Sequence, residues 1–185
     1  MSLIKPFSGI RPKKKFAKEV TSPNVSYIDN YKPNKKLNFL NLLNTSKINK
    51  SKKILKSLKD KGIIQQDTSN HFYLYRITYN NKKLLGIVGK INLDNYDDKK
   101  ILGHEETFIE RIKKRKEQLL KFNSQISPIY TTYKSTPNSL KKLKNIFRFK
   151  SDYNFKSKDK CRHELWVVNK LNKVRLLKNY LKNIK

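Results

Sequence analysis

Two clusters hold the residue types best suited to chemistry. The first is Gly103-His104-Glu105-Glu106-Thr107, followed by Arg111 and Arg115. An imidazole next to a carboxylate, with guanidinium groups one and two helical turns further on, can pair a general base with cations that hold phosphate. The same residues also make an ordinary helix start, with glutamates in the first turn and a solvated basic face beyond. On residue types and spacing alone, the capping role outweighs the catalytic one. The second cluster is Cys161-Arg162-His163-Glu164-Leu165-Trp166-Val167-Val168. Strand alternation sends His163, Leu165 and Val167 to one face and Arg162, Glu164, Trp166 and Val168 to the other. Its plain reading is a strand in which His163 is a satisfied, buried histidine. Arg76, beside Tyr75 in an aromatic run, is a weaker third candidate, because a lone arginine there is usually paired or snorkelling.

Several chemistries are missing their residues. No glycine-rich phosphate loop occurs, and five glycines leave little material for one. His104-Glu105 does not begin a zinc-protease motif, because the second histidine position holds Phe108. Three histidines and the single Cys161 have no metal-ligand spacing, and no nucleophile elbow is present. Carboxylates able to hold Mg²⁺ exist, but none has a spacing that demands it.

The elements that must position these residues follow from periodicity. Residues 1–36, punctuated by Pro6, Pro12, Pro23 and Pro33, read as irregular but packed, since Leu3, Ile4, Phe7, Ile10, Phe16 and Val20 recur. Phe39 to Leu43 is a short strand candidate. A helix through Ile48, Ile54, Leu55 and Leu58 closes at Gly62. The clearest local feature is a hairpin, His71 to Tyr79, turning at Asn80-Asn81-Lys82-Lys83 and returning through Leu84 to Leu93. Gly86 and Gly89 inside the return strand suggest a bulge or a close backbone approach. The strongest helix spans 105–122, with Phe108, Ile109, Ile112, Leu119 and Leu120 on its apolar stripe. Ile126 to Tyr133 is expected as a strand, and Asn138 to Ile146 as a short helix. Arg162 to Val168 is expected as a strand, then a helix capped by Asn169 with Val174, Leu177, Leu181 and Ile184 on one face. The expectation is one α+β domain over 1–185, with a mixed, mostly antiparallel sheet and a central hairpin.

Composition narrows the classes. The 185 residues carry a formal charge of +30, spread as +9, +6, +8 and +7 over residues 1–50, 51–100, 101–150 and 151–185. A dedicated nucleic-acid arm concentrates charge, and this chain does not. Its 37 Lys against 7 Arg, with 20 Asn and 17 Ile, match drift toward A/T-rich codons. Arginine, suited to bidentate phosphate contacts, is the scarce cation. The aromatic content of 11% is too high for a basic disordered tail. No apolar run approaches a membrane span and one cysteine builds no disulfide framework, so the expectation is a cytoplasmic protein with no membrane partner.

Several segments together resemble a bacterial and archaeal family, domain of unknown function 1015. They are Ile4 to Pro12, Ala17 to Pro23, Phe72 to Arg76 and Gly86 to Gly89, then Ile101 to Thr107 with Arg111 and Arg115. Gln125 to Tyr133 and Arg162 to Val168 complete the set. The resemblance implies similarity to free-serine kinases of the ParB/sulfiredoxin-like class. It implies phosphorylation of a small hydroxylated substrate such as L-serine, with pyrophosphate or a nucleotide as donor, and Mg²⁺. On it, Glu105 becomes the base for the substrate hydroxyl with His104 beside it. Arg11, Arg76, Arg111, Arg115 and His163 become the phosphate and substrate partners, and no protein-held metal is expected. Family chains are longer and carry an Asp-Gly-His-His-Arg-Tyr motif after the segment matching His163 to Val168; no His-His pair occurs here. The expectation is therefore an N-terminal portion that needs a separately encoded C-terminal half and is inactive alone. The competing expectation is a basic nucleic-acid- or ribosome-associated protein, and a third is a remnant without activity.

Overall fold

A computed structural model of the chain describes residues 3–21, 37–43, 48–94, 100–103, 108–126, 128–134, 136, 141, 143–145, 147–157 and 160–182. Its elements run β1 (Ile4–Lys5), β2 (Ile10–Pro12), a 3₁₀ turn (Lys14–Phe16), α1 (Ala17–Val20), α2 (Leu40–Leu43) and α3 (Ile48–Asp60). They continue with β3 (Ile64–Gln66), β4 (Phe72–Tyr79), β5 (Lys82–Val88), β6 (Lys90–Ile91), α4 (Ile109–Phe122), β7 (Tyr153–Lys156), β8 (Arg162–Val168) and α5 (Leu171–Lys182). The fold is α+β, and every strand pair is antiparallel.

The aromatic and β-branched run of β4 makes it the inner strand of a four-stranded sheet, ordered β5-β4-β8-β7. The β4–β5 hairpin turns more tightly than its composition suggests. Tyr79 pairs with Lys82, so Asn80 and Asn81 alone make the turn, at φ of 45° and 61°. Two residues at positive φ give the primed turn whose twist matches the strands, and asparagine tolerates that region. At the far end β5 stops at Val88, and β6 leaves to pair with β1. Gly89 permits this crossing: a Cβ there would lie 2.3 Å from Ile4 Cγ2 and 2.9 Å from the Lys5 carbonyl. At Gly86 a Cβ would meet only the Tyr75 carbonyl, at 4.0 Å. The close approach belongs to Gly89 alone.

The two sheet faces differ. On one, Phe72, Leu74, Trp166 and Val168 pack against Leu143 and Phe147 and against Leu177, Tyr180 and Leu181 of α5. Phe147 and Trp166 meet edge to face at 5.0 Å. The opposite face carries Tyr73, Tyr75 and Ile77, with Val167, Leu165 and His163 across from them and Tyr153 and Phe155 beyond. The β2–β3 ribbon is stitched to this side through the Phe7–His71 bridge and the Phe7–Tyr73 ring contact at 5.2 Å. A second apolar cluster gathers Val20, Leu42, Leu58, Ile63 and Ile64, with Phe122 of α4 against it. Helix α3 ends as expected: Gly62 takes φ 60°, its N–H reaches the Lys59 carbonyl at 2.8 Å, and the Ile63 N–H reaches that of Leu58 at 2.9 Å.

Other local expectations shift. Leu40–Leu43 is a helical turn, not a strand. Its carbonyl at Leu42 accepts from Ser51 Oγ at 2.9 Å, and Leu42 is buried in the second cluster, so tertiary packing overrides β-propensity. The described residues of the expected strand at 126–133 form no ladder, and Ile129 and Tyr130 are exposed. The expected helix at 105–122 is described from Ile109, because residues 104–107 lie outside the described residues. Of the expected helix at 138–146, residues 141 and 143–145 are helical; 138–140, 142 and 146 lie outside the described residues. The last helix begins at Leu171, one residue later than a cap at Asn169 would set it; Val174, Leu177 and Leu181 face the core, and Ile184 lies outside the described residues. The packed N-terminal segment is described over 3–21, with Ala17 and Val20 buried; residues 22–36 lie outside.

Candidate functional site

The densest polar cluster forms where the β2–β3 ribbon meets the sheet. Pairing of β2 with β3 sets Arg11 opposite Gln65, one step from the turn that carries Asp67. Arg11 Nε lies 3.0 Å from both Asp67 carboxylate oxygens, and its Nη2 lies 2.7 Å from Oδ1. Its Nη1 donates to the Tyr153 hydroxyl, which donates in turn to the Pro12 carbonyl at 2.6 Å. Tyr73 donates to Asp67 Oδ2 at 2.6 Å and accepts from the Gly9 N–H at 2.8 Å. The Asp67 N–H reaches the Gly9 carbonyl at 3.0 Å, and Ser8 Oγ donates to the Asp67 carbonyl. Gly9 must be glycine, because a Cβ would lie 2.7 Å from the Tyr73 hydroxyl.

These contacts set the charges. The Asp67 hydrogen bond holds the Arg11 guanidinium even more firmly charged than an ordinary arginine, against its partial burial. Burial alone would raise the Asp67 pKa, but hydrogen bonds from Arg11 and Tyr73 outweigh it and hold the carboxyl below its ordinary range. Burial pushes the Tyr73 phenol up, and its bond to Asp67 pushes it further, so it remains a donor. The Asp67 side chain is 6% exposed and that of Arg11 23%, so the arginine is the part of the pair that meets solvent. A guanidinium has five N–H donors. The contacts above use three, leaving two without a partner among the described residues.

Arg76 takes a different place. It projects from the core-facing side of β4, opposite Glu164 in β8, in a two-pronged ion pair at 2.6 and 2.7 Å. Its guanidinium lies 5.0 Å from the centre of the Trp166 ring. The Arg76 hydrogen bond holds the Glu164 carboxyl below its ordinary range, against burial.

His163 stands on the opposite face. Its Nδ1 lies 2.6 Å from the Tyr75 hydroxyl and its Nε2 2.6 Å from Ser157 Oγ. Ser157 Oγ donates its proton to the Cys161 carbonyl at 2.9 Å. Nε2–H therefore donates to Ser157, and Nδ1 accepts from Tyr75. The ring is stacked between Tyr75 and Phe155, at 6.1 and 5.3 Å.

Arg111 and Arg115 lie on α4, which packs against α3, and both are exposed. Arg111 covers the Phe108 ring at 5.3 Å, and Arg115 Nη1 reaches Gln118 Oε1 at 3.2 Å. His104 and Glu105 lie outside the described residues. The structure thus brings Arg11 and His163 to one face of the sheet and sets Arg76 on the other. The α4 arginines occupy a separate helix.

Sequence reasoning missed Asp67, Tyr73 and Tyr153. The one available signal is Asp67 itself, a lone carboxylate between β3 and the aromatic β4 in a chain with 14 acidic residues. No group of three or more His, Cys, Asp or Glu able to hold a metal occurs among the described residues.

The fold and the site define an α+β protein that immobilises an arginine with a carboxylate and two phenols at the junction of a ribbon and a sheet. The chain belongs to the family described as protein of unknown function (DUF1015), whose sequence profile matches residues 4–185. No curated protein and no solved structure matches the chain.

Proposed function

We propose that the chain contributes the phosphate-holding side of a phosphotransferase acting on a small hydroxylated metabolite such as L-serine. The observation that carries this reading is Arg11. It is fixed by Asp67 and Tyr153, lies at the solvent edge of the cluster, and keeps two N–H donors for an anion. Phosphoryl transfer asks mainly for positioning and charge stabilisation, and a guanidinium held in place supplies both. The ion pair lowers the local charge, while the +30 field of the whole chain still draws anions inward. In this reading Glu105 deprotonates the substrate hydroxyl beside His104, and Arg111 and Arg115 steady the transferring group. Those roles rest on the family resemblance, as do a pyrophosphate or nucleotide donor and Mg²⁺. His163 has both ring nitrogens bonded within the sheet, and Arg76, held by Glu164 and Trp166 on the face away from the Arg11 cluster, aligns β4 with β8.

These 185 residues hold no His-His pair, so the reading includes the Asp-Gly-His-His-Arg-Tyr signature on a further segment, supplied in the test as a separate polypeptide. The test combines the two chains with L-serine, Mg²⁺ and either pyrophosphate or ATP, and detects O-phosphoserine by mass spectrometry. Product is expected from the pair and not from either chain alone. No product under any combination would overturn the reading. The alternative, a nucleic-acid-associated protein, draws on the exposed Lys52, Lys53, Lys56 and Lys59 of α3. Steeply salt-dependent RNA binding, tighter than that of a lysine-matched control, would favour it instead.

A further inference from the structure

Among the described residues, the partly buried positions of helix α4 fall on one side. Phe122 packs on the second apolar cluster, and Gln118, on the same side of the helix, is half-buried. At 100° per residue, Ile109, Ile112, Leu119 and Leu120 fall on a different stripe. They are exposed by 70%, 51%, 48% and 74%, and Phe108 before them by 71%. A single exposed apolar residue needs no cause, whereas four on one helix with a fifth at its cap mark an interaction surface.

The spacing is informative. Positions 109, 112, 116 and 119 alternate steps of three and four, which is the inner seam of a two-stranded coiled coil. Three of them are aliphatic and the fourth is Lys116, itself exposed. Lys113 and Arg115, also exposed, occupy the flanking positions where paired helices exchange charges.

We propose that this face of α4 is a docking seam for an acidic amphipathic helix of another polypeptide. That helix would set apolar residues against Ile109, Ile112 and Leu119, a carboxylate against Lys116, and acidic residues against Lys113 and Arg115. Charge selects this occupant. A second copy of this chain would bring Lys116 and the same basic flanks against themselves, on a protein already at +30. Nucleic acid would engage the cations and leave the aliphatic stripe in water. An anionic lipid surface would attract the cations, but it would take Lys116 into its apolar layer and bring Glu110 and Glu117 toward its headgroups. An acidic helix satisfies the stripe and the charges together. The seam shares Arg115 with the phosphotransferase reading, but Ile109, Ile112, Lys116 and Leu119 belong to the seam alone, so Leu119→Asp and Lys116→Glu separate the two.

The probe is a fluorescein-labelled synthetic helix of about three heptads, with Ile and Leu on its seam and Glu at its flanks and opposite Lys116. Anisotropy titration against the full chain is expected to give a Kd in the micromolar range. Leu119→Asp is expected to weaken binding at least about tenfold, as hot-spot removal does. Lys116→Glu is expected to weaken it too, and a probe with Lys in place of its central Glu should then bind better than the original. All these positions are exposed, and circular dichroism checks that each variant is folded. Equal binding of a scrambled probe would overturn the proposal by showing attraction through charge alone. So would a dimer of the chain abolished by Leu119→Asp, capture by phosphatidylglycerol vesicles abolished by the same change, or no probe binding at about 100 μM.

Discussion

Glu164 and Asp67 show how this chain uses its few carboxylates. Each sits beside one arginine, is nearly buried, and has a second structural duty: Glu164 aligns β4 with β8, and Asp67 ties the ribbon to the sheet. Replacing Glu164 by Gln keeps the shape but leaves Arg76, 22% exposed, without its counter-charge. The expected cost is about 2–4 kcal/mol, near the lower end for breaking a buried pair, measured by urea unfolding at pH 7. The sign of the pH dependence follows from the lowered Glu164 pKa. Its stabilisation is complete above the ordinary glutamate value of about 4.3 and is lost as pH falls through the lowered native value. Wild type and Glu164→Gln should therefore draw together in stability as pH falls below about 4.3, meeting only below the lowered native value. At this scale the sequence was half legible. The pairing of Arg76 was foreseeable, because a lone arginine in an aromatic strand seeks a partner, but alternation only separated His163 from Glu164, and the buried one is Glu164, not the histidine the sequence favoured. Arg11 stood out as one of seven arginines, but Asp67 and Tyr153 lie 56 and 142 positions away in sequence. Only the tertiary fold brings them together, and no local pattern announces such contacts.

The β1–β6 crossing is where one atom decides how elements meet. Gly89 lies against Ile4 and the Lys5 carbonyl, with no room for a Cβ. Gly89→Ala is expected to cost about 1–3 kcal/mol by overpacking, while Gly86→Ala, facing only ordinary contacts, should cost less. Thermal unfolding of the two variants checks the ranking, and equal losses would contradict it. The hairpin, the Gly62 helix end and the core face of the last helix were all readable, because turn chemistry and periodicity are local. The helical turn at Leu40–Leu43 was not, since five mostly apolar residues fit a strand or a buried helix alike until α3 supplies the surface they cover. For the same reason the stretch through Ile129 and Tyr130 resembled a strand, yet its described residues find no ladder.

Across the whole molecule, charge is plentiful and arrangement is scarce. The +30 is spread evenly along the chain, and many of the described lysines lie on exposed surfaces, among them Lys52, Lys53, Lys56 and Lys59 of α3. Two arginines are held in place by carboxylates, Arg76 by Glu164 on the core side of the sheet and Arg11 by Asp67 on the other, where a phenol and a backbone ribbon fix it as well. No helix among the described residues is long and apolar enough to cross a membrane. Family membership over residues 4–185 names no activity. The claim that Arg11 is the anion-holding residue can be tested on this chain alone. Isothermal titration with pyrophosphate at moderate salt compares wild type with Arg11→Lys, which keeps the charge but loses the fork geometry. The account predicts saturable one-site binding by wild type and at least about tenfold weaker binding by Arg11→Lys with its circular dichroism unchanged. Equal affinity in the two folded proteins would contradict it.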